Sequence, residues 1–183
     1  MAVTCVPASA QRNLPGQKAV QVTGGFVDGF TFKTGSGLTR FHSSIAYSVT
    51  NRNHSHWLLG IGYQQKDYDY RGMQKLPKAQ FTGEAGYFIP VFKDRGQTFC
   101  LSLGASAMAG YETSNWGEKL LYDGSTLMNR DCFIWGGALT AEFETYITDR
   151  LILLANIRQR GLFGTTMGNF HTQVGVGLKI IIN

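Results

Sequence analysis

Apolar side chains recur at every second position through Leu151 to Gly161 and again through Asn169 to Ile182. A period of two makes a face only on an extended strand. In the last run Thr172, Val174, Val176, Leu178, Ile180 and Ile182 share one side, and His171, Gln173, Gly175, Gly177 and Lys179 the other. Before it, Leu151, Leu153, Ala155 and Ile157 alternate with Ile152, Leu154, Asn156, Arg158 and Arg160. The same reading gives Phe133, Trp135, Leu139, Phe143 and Ile147 against Gly136, Ala138, Thr140, Glu142, Glu144 and Tyr146. Upstream, Phe99 to Tyr111 opposes Thr98 to Gly110, Phe81 to Val91 opposes Gln80 to Gly86, and Trp57 to Tyr63 opposes Gly60 to Lys66. Two less regular runs, Val20 to Phe26 and Phe41 to Val49, bring the expected total to eight strands.

The connections between these runs alternate in length. Asn51-Arg52-Asn53, Lys93-Asp94-Arg95-Gly96 and Thr148-Asp149 are tight turns, whereas 29 to 37, 69 to 76, 112 to 131 and 162 to 168 are longer. The expected fold is therefore an all-β, eight-stranded antiparallel up-and-down transmembrane β-barrel of the outer-membrane type, with short periplasmic turns and longer extracellular loops. A soluble carrier barrel also alternates, but it turns its apolar set inward. Here the polar face is small and rich in glycine (Gly60, Gly62, Gly104, Gly136, Gly175, Gly177), which suits a crowded lumen better than a solvated exterior. Aromatics gather at strand ends, with Tyr47, Trp57 and Phe99 toward the short turns. Phe41, Tyr63, Phe81, Tyr111, Phe133 and Trp135 lie toward the long loops. Two such girdles mark two membrane interfaces, because the rings are apolar in body and polar at one edge.

Composition agrees with this picture. Charged residues make up 16% of the 183 residues, well below an ordinary soluble protein, while 23 glycines and 13% aromatics suit a bent, girdled barrel. No run of apolar residues is long enough for a helical span. The net charge of +5 comes from scattered Lys and Arg residues, so direct nucleic-acid binding is not expected. Residues 1 to 10 end in Ala8-Ser9-Ala10 and read as the remnant of a secretory signal peptide, leaving 11 to 183 as the barrel. Cys5 belongs to that leader and follows a poor lipoprotein approach sequence. Cys100 and Cys132 fall at opposite ends of neighbouring strands, too far apart for a disulfide.

Seven of the charged residues on the lumen face are singled out: Arg40, Glu84, Glu142, Glu144, Arg158, Arg160 and Lys179. Buried charges must pair, so the expectation is a structural network in which Glu142 and Glu144 face Arg158, Arg160 and Lys179 on the next two strands. A catalytic carboxylate pair is the competing reading, and several adjacent cations argue against it. His42 and Ser44 share a spacing seen in lipid-modifying barrel enzymes, yet both point inward and no acid orients the imidazole. His54-x-His56 is an incomplete metal clip and reads as a solvated turn. No cofactor is called for. The long loop carries Trp116, Leu120, Leu121 and Tyr122, which fit either a partner-contact surface or a lid over the mouth. In the last strand Gln173, Gly175, Leu178 and Ile180 resemble the C-terminal signal read by the outer-membrane barrel-insertion machinery, although Ile182-Asn183 replaces the usual terminal aromatic.

Several stretches together resemble the TraO conjugal-transfer proteins of conjugative transposons. They are Gln11-Arg12-Asn13-Leu14-Pro15 with Gly16-Gln17-Lys18, Gly83-Glu84-Ala85-Gly86-Tyr87, Gly110-Tyr111-Glu112, Gly117-Glu118 and Leu121-Tyr122-Asp123-Gly124-Ser125. Glu142-x-Glu144-x-Tyr146, Asp149-Arg150 and Gly175-x-Gly177-Leu178-Lys179 continue the match. The resemblance implies a place in the envelope part of a DNA-transfer apparatus of a Gram-negative cell, with other conjugation proteins as partners, and supplies no catalytic motif. Since a side-chain-filled lumen cannot pass DNA, the implied role is an anchor or docking protein. A general envelope-stability or adhesion barrel and a lipid-modifying barrel enzyme are the alternatives.

Overall fold

The computed structural model describes residues 14–28, 40–70, 74–96, 98–114, 131–166 and 168–182, with side chains at 68–70 and 74–76 left out. Eight strands follow one another around a closed antiparallel barrel: β1 Lys18–Val27, β2 Arg40–Thr50, β3 His56–Tyr70, β4 Gln74–Lys93, β5 Phe99–Ser114, β6 Cys132–Tyr146, β7 Leu151–Phe163 and β8 Phe170–Ile181. β8 returns to β1, with Ala19 opposite Ile181 and Val27 opposite Gln173, so no backbone edge is left unpaired within the wall. That closure is what allows a sheet to sit in hydrocarbon. Among the described residues, no helix is long and apolar enough to cross a membrane.

The two faces sort as the periodicity requires. Leu59, Ile61, Leu139, Ile157 and Val176 stand outward and 59–69% exposed, while Gln80, Glu112 and Glu142 are fully buried inside. A water-soluble protein would reverse this arrangement. Outside, the rings form two belts. Phe41 packs against Tyr63 at 5.7 Å and Tyr63 against Phe81 at 5.1 Å toward one end, and Trp57 against Tyr87 at 4.8 Å toward the other. Just past the first belt the outer face turns polar, because the Tyr63 hydroxyl donates to Gln65 and Gln65 donates to Asp67.

Three of the expected loops are shorter than the sequence pattern indicates. β3 runs to Tyr70 and β4 starts at Gln74, so 69 to 76 is mostly paired strand. Likewise β5 runs to Ser114 and β7 to Phe163. Above the upper belt neither face of a strand touches hydrocarbon, so the backbone ladder continues after the apolar alternation has stopped. Among the described residues, a register irregularity lies at the other end, where the β4–β5 pairing shifts between Pro90 and Phe92. Proline has no N–H to give the ladder, and the resulting bulge leaves Val91 and Phe92 both exposed. Gly104 serves packing: a Cβ there would strike the Phe88 ring, which lies flat over the glycine inside the barrel.

Candidate functional site

The polar interior is the one place where the described chain concentrates chemistry, and it is built in layers. Nearest the short turns, Tyr146, Ile152 and Leu154 form a buried apolar plug. Above it Lys179 of β8 donates to Glu144 of β6 at 2.6 Å. Glu142 of β6 accepts from Gln21 at 3.5 Å and lies 3.8 Å from His56. His56 is stacked on Phe88 at 5.0 Å, and Phe88 packs with Ala46 and Leu58.

In the middle layer Arg158 of β7 crosses the lumen to Glu84 of β4, with contacts of 3.0 and 3.3 Å to the two carboxylate oxygens, and donates through Nε to Thr140. Among the described residues Arg160 makes no ion pair with a carboxylate. It donates to Gln64 at 2.7 Å and, weakly, to Thr82 at 3.5 Å, while Gln173 donates to the same Gln64 oxygen at 2.7 Å. Free space beside this cluster, between His42, Ser44, Glu84 and Arg160, amounts to about 10 Å³, room for one water.

Two latches close the long-loop end. Glu112 accepts from Gln80 at 2.9 Å, from the Thr165 hydroxyl at 2.6 Å and from the Thr166 backbone at 3.1 Å. Asp28, at the end of β1, accepts from Lys66 and meets His171, each at 2.8 Å. Burial pushes the Asp28 carboxyl upward, but the hydrogen bonds from Lys66 and His171 outweigh it and hold the group below its ordinary 3.8.

Of the seven charged residues singled out by sequence, six are buried in this interior and Arg40 is half-buried at the mouth, in register with Lys66. The structure brings Glu144 to Lys179 but does not bring Glu142 to either arginine. Arg158 instead reaches a strand on the opposite wall, because an eight-stranded lumen is narrow enough for a guanidinium to span. His56 lies inside rather than in a solvated turn; only His54, with φ of 60°, belongs to the turn. Ser44 shares its hydroxyl with Thr23 at 2.6 Å, not with His42. Gln173 and Gly175 face the lumen while Leu178 and Ile180 stand exposed outside. Trp116, Leu120, Leu121 and Tyr122 lie outside the described residues, as do residues 1 to 10. Cys100 and Cys132 are free, and among the described residues no group of His, Cys, Asp and Glu could hold a metal.

Sequence reasoning missed the two latches. Gln64, Lys66 and Gln80 were visible on the polar face, but Asp28, Thr165 and Thr166 sit in connections, where periodicity gives no direction. Glu112 was assigned to a loop and is in fact a buried strand residue.

Several solved structures share this fold. Neisserial surface protein A matches with a TM-score of 0.62 at 11% identity, covering 89% of this chain and 96% of that one. Ail, the attachment invasion locus protein of Yersinia pestis, matches at 0.59 and 9% identity over 92% of this chain and all of that one. A major outer membrane protein from Thermus thermophilus matches at 0.57 and 11% identity, over 92% of this chain and all of that one. No curated protein sequence matches the chain. A family model described as conjugative transposon protein TraO matches residues 14–182.

Proposed function

Because the chain belongs to the TraO family of conjugative transposon proteins, we propose that it serves DNA transfer as an anchor or docking protein in the outer membrane of a Gram-negative cell. The observation that carries this reading is the filled interior. Plug, ion pairs and amide contacts occupy the lumen from end to end, so a single copy offers a DNA strand no passage. What remains for the protein to offer is its rims and loops, on a rigid membrane-spanning support.

In this reading the lumen charges, Arg40, Glu84, Glu142, Glu144, Arg158, Arg160 and Lys179, are structural and not catalytic. Trp116, Leu120, Leu121 and Tyr122 form the contact surface for another conjugation protein. Gln173, Gly175, Leu178 and Ile180 serve delivery to the barrel-insertion machinery, and residues 1 to 10 are the end of a leader.

The test is a donor strain lacking the gene, complemented with variants and scored for transfer frequency alongside sensitivity to bile salts. Loss of transfer with an intact permeability barrier supports the reading, and photo-crosslinking from position 116 or 122 in mating cells identifies the docked partner. Undiminished transfer would refute the conjugation role, and a parallel rise in bile-salt sensitivity would assign the barrel to envelope integrity instead.

A further inference from the structure

In the lumen Lys66, Arg158, Arg160 and Lys179 are each engaged by an acceptor side chain, whereas the cations at the short-turn rim stand exposed. Lys18 at the start of β1, Arg52 in the β2–β3 turn, Arg95 in the β4–β5 turn and Arg150 in the β6–β7 turn are all exposed. None of the four has an ion-pair partner among the described residues, whereas Lys66, Arg158 and Lys179 each do. Asp94 and Asp149, the neighbours of Arg95 and Arg150, are the two exposed anions among the described residues at this end, so four exposed cations face two exposed anions there. Lys93 is not counted with them, because it is half-buried and in register with the buried Cys100.

Two features of the arrangement identify what it meets. First, the cations are spread around the circumference, one at the start of β1 and one at each of three turns, instead of gathering on one side. A docked protein or a nucleic-acid strand needs its contacts together on one face; a surrounding annulus needs them distributed. Second, each lies within about five residues of an exposed apolar side chain in the sequence: Leu14 before Lys18, Trp57 after Arg52, Phe92 before Arg95 and Ile147 before Arg150. Apolar anchors in the acyl region with cations just beyond them place the charges at headgroup depth.

We infer that the short-turn rim is a binding ring for anionic phospholipid, taking the phosphate groups of the periplasmic leaflet. The ring does not depend on the conjugation role, and a barrel with any other task would bind the same lipid through it. Arginine and lysine near an anionic leaflet each favour it by a factor on the order of five when the side chain reaches a phosphate.

Trp57 is a built-in reporter at this rim. In a W116F/W135F background, the purified barrel is placed in phosphatidylcholine vesicles containing brominated phosphatidylglycerol or brominated phosphatidylcholine, and Trp57 fluorescence is followed against brominated mole fraction. The ring predicts quenching at several-fold lower mole fraction of the anionic lipid, with the preference largely removed in about 0.5 M salt. It also predicts loss of preference in K18Q/R52Q/R95Q/R150Q. Equal quenching by the two lipids in the parent overturns the inference. So does a preference that survives the quadruple change, or one that single-stranded DNA or an acidic peptide competes away at low micromolar concentration. If the quadruple variant fails to fold, the salt titration of the parent decides alone.

Discussion

The two halves of the lumen solve one problem in opposite ways. Toward the short turns, the buried charges are two carboxylates, Glu142 and Glu144, and one lysine, Lys179, roofed against an apolar plug of Tyr146, Ile152 and Leu154. In the layer above, the buried charges are two arginines, Arg158 and Arg160, and one carboxylate, Glu84, with Glu112 and Lys78 buried nearer the mouth. The lower half neutralises by a short ion pair, Lys179 to Glu144. The upper half gives Arg160 no ion pair among the described residues and surrounds it with the neutral acceptors of Gln64 and Thr82. An ion pair holds two desolvated charges that each need the other, whereas amides around a guanidinium supply acceptors that remain neutral when the cation is gone. The halves should therefore respond very differently to the loss of one cation.

Lys179→Met is the harshest test, because it strands Glu142 and Glu144 side by side in the sealed end. A loss of about 3 to 5 kcal/mol is expected for removing one partner of a buried pair. Urea unfolding in detergent, read by the heat-dependent gel shift of barrels, measures it. Adding Glu144→Met in the same chain should restore most of that loss; a double variant as weak as the single one would mean that Lys179 acts through packing and not through its charge.

The second test turns the comparison inside out. Leu139 is 69% exposed and in register with Gln159, the neighbour of Arg160, so the two side chains sit at nearly the same depth on opposite faces. Leu139→Arg should cost roughly 2 to 4 kcal/mol, the penalty for a cation in the lipid-facing midplane. Arg160→Met should cost no more than about 1 kcal/mol, since Gln173 still satisfies Gln64 and an unpaired buried cation disappears. If both arginine positions prove equally sensitive, the outer wall is not in hydrocarbon, or Arg160 has an anionic partner.

How much of this was legible in the sequence depends on whether hydrocarbon touched the strand. Between the belts every residue had to choose a face, so the parity of Leu139, Glu142 or Arg158 told its direction, and the barrel and its charged interior could be read. Outside that band the parity signal ends while the ladder does not, which is why Glu112 and residues 69 to 76 were assigned to loops. Which charges meet is a further question of strand stagger. The Lys179–Glu144 pair lies two strands apart and could be expected; Arg158 reaching Glu84 across the interior could not, because sequence gives neighbours along the wall and not the width of the lumen.

The smallest effect separates the open end from the sealed one by acid. Asp28 has a left-handed backbone, φ 55°, and ties the end of β1 to its neighbours: its carboxylate accepts from Lys66, meets His171 and accepts from the Thr172 amide at 3.0 Å, while its own N–H donates to the Thr172 carbonyl at 2.7 Å. Because those contacts hold the folded carboxyl below its ordinary 3.8, the unfolded latch takes a proton first as pH falls. The stabilisation is thus fully present above about pH 5 and is lost as pH falls through the folded value. Protonation removes the charge that Lys66 and His171 face but leaves the strand ladder, so the result is local fraying at the β1–β8 seam and not global unfolding. Amide exchange followed from about pH 6 down to pH 2, corrected for intrinsic rates, should show Thr172 losing protection several-fold while the amides of Gln21 and Lys179, deeper on the same seam, keep theirs. Asp28→Asn should give the acid level of protection at every pH. Protection at Thr172 that stays flat in the parent would show that the backbone bonds alone hold the seam and that the open end is no more sensitive to acid than the plugged one.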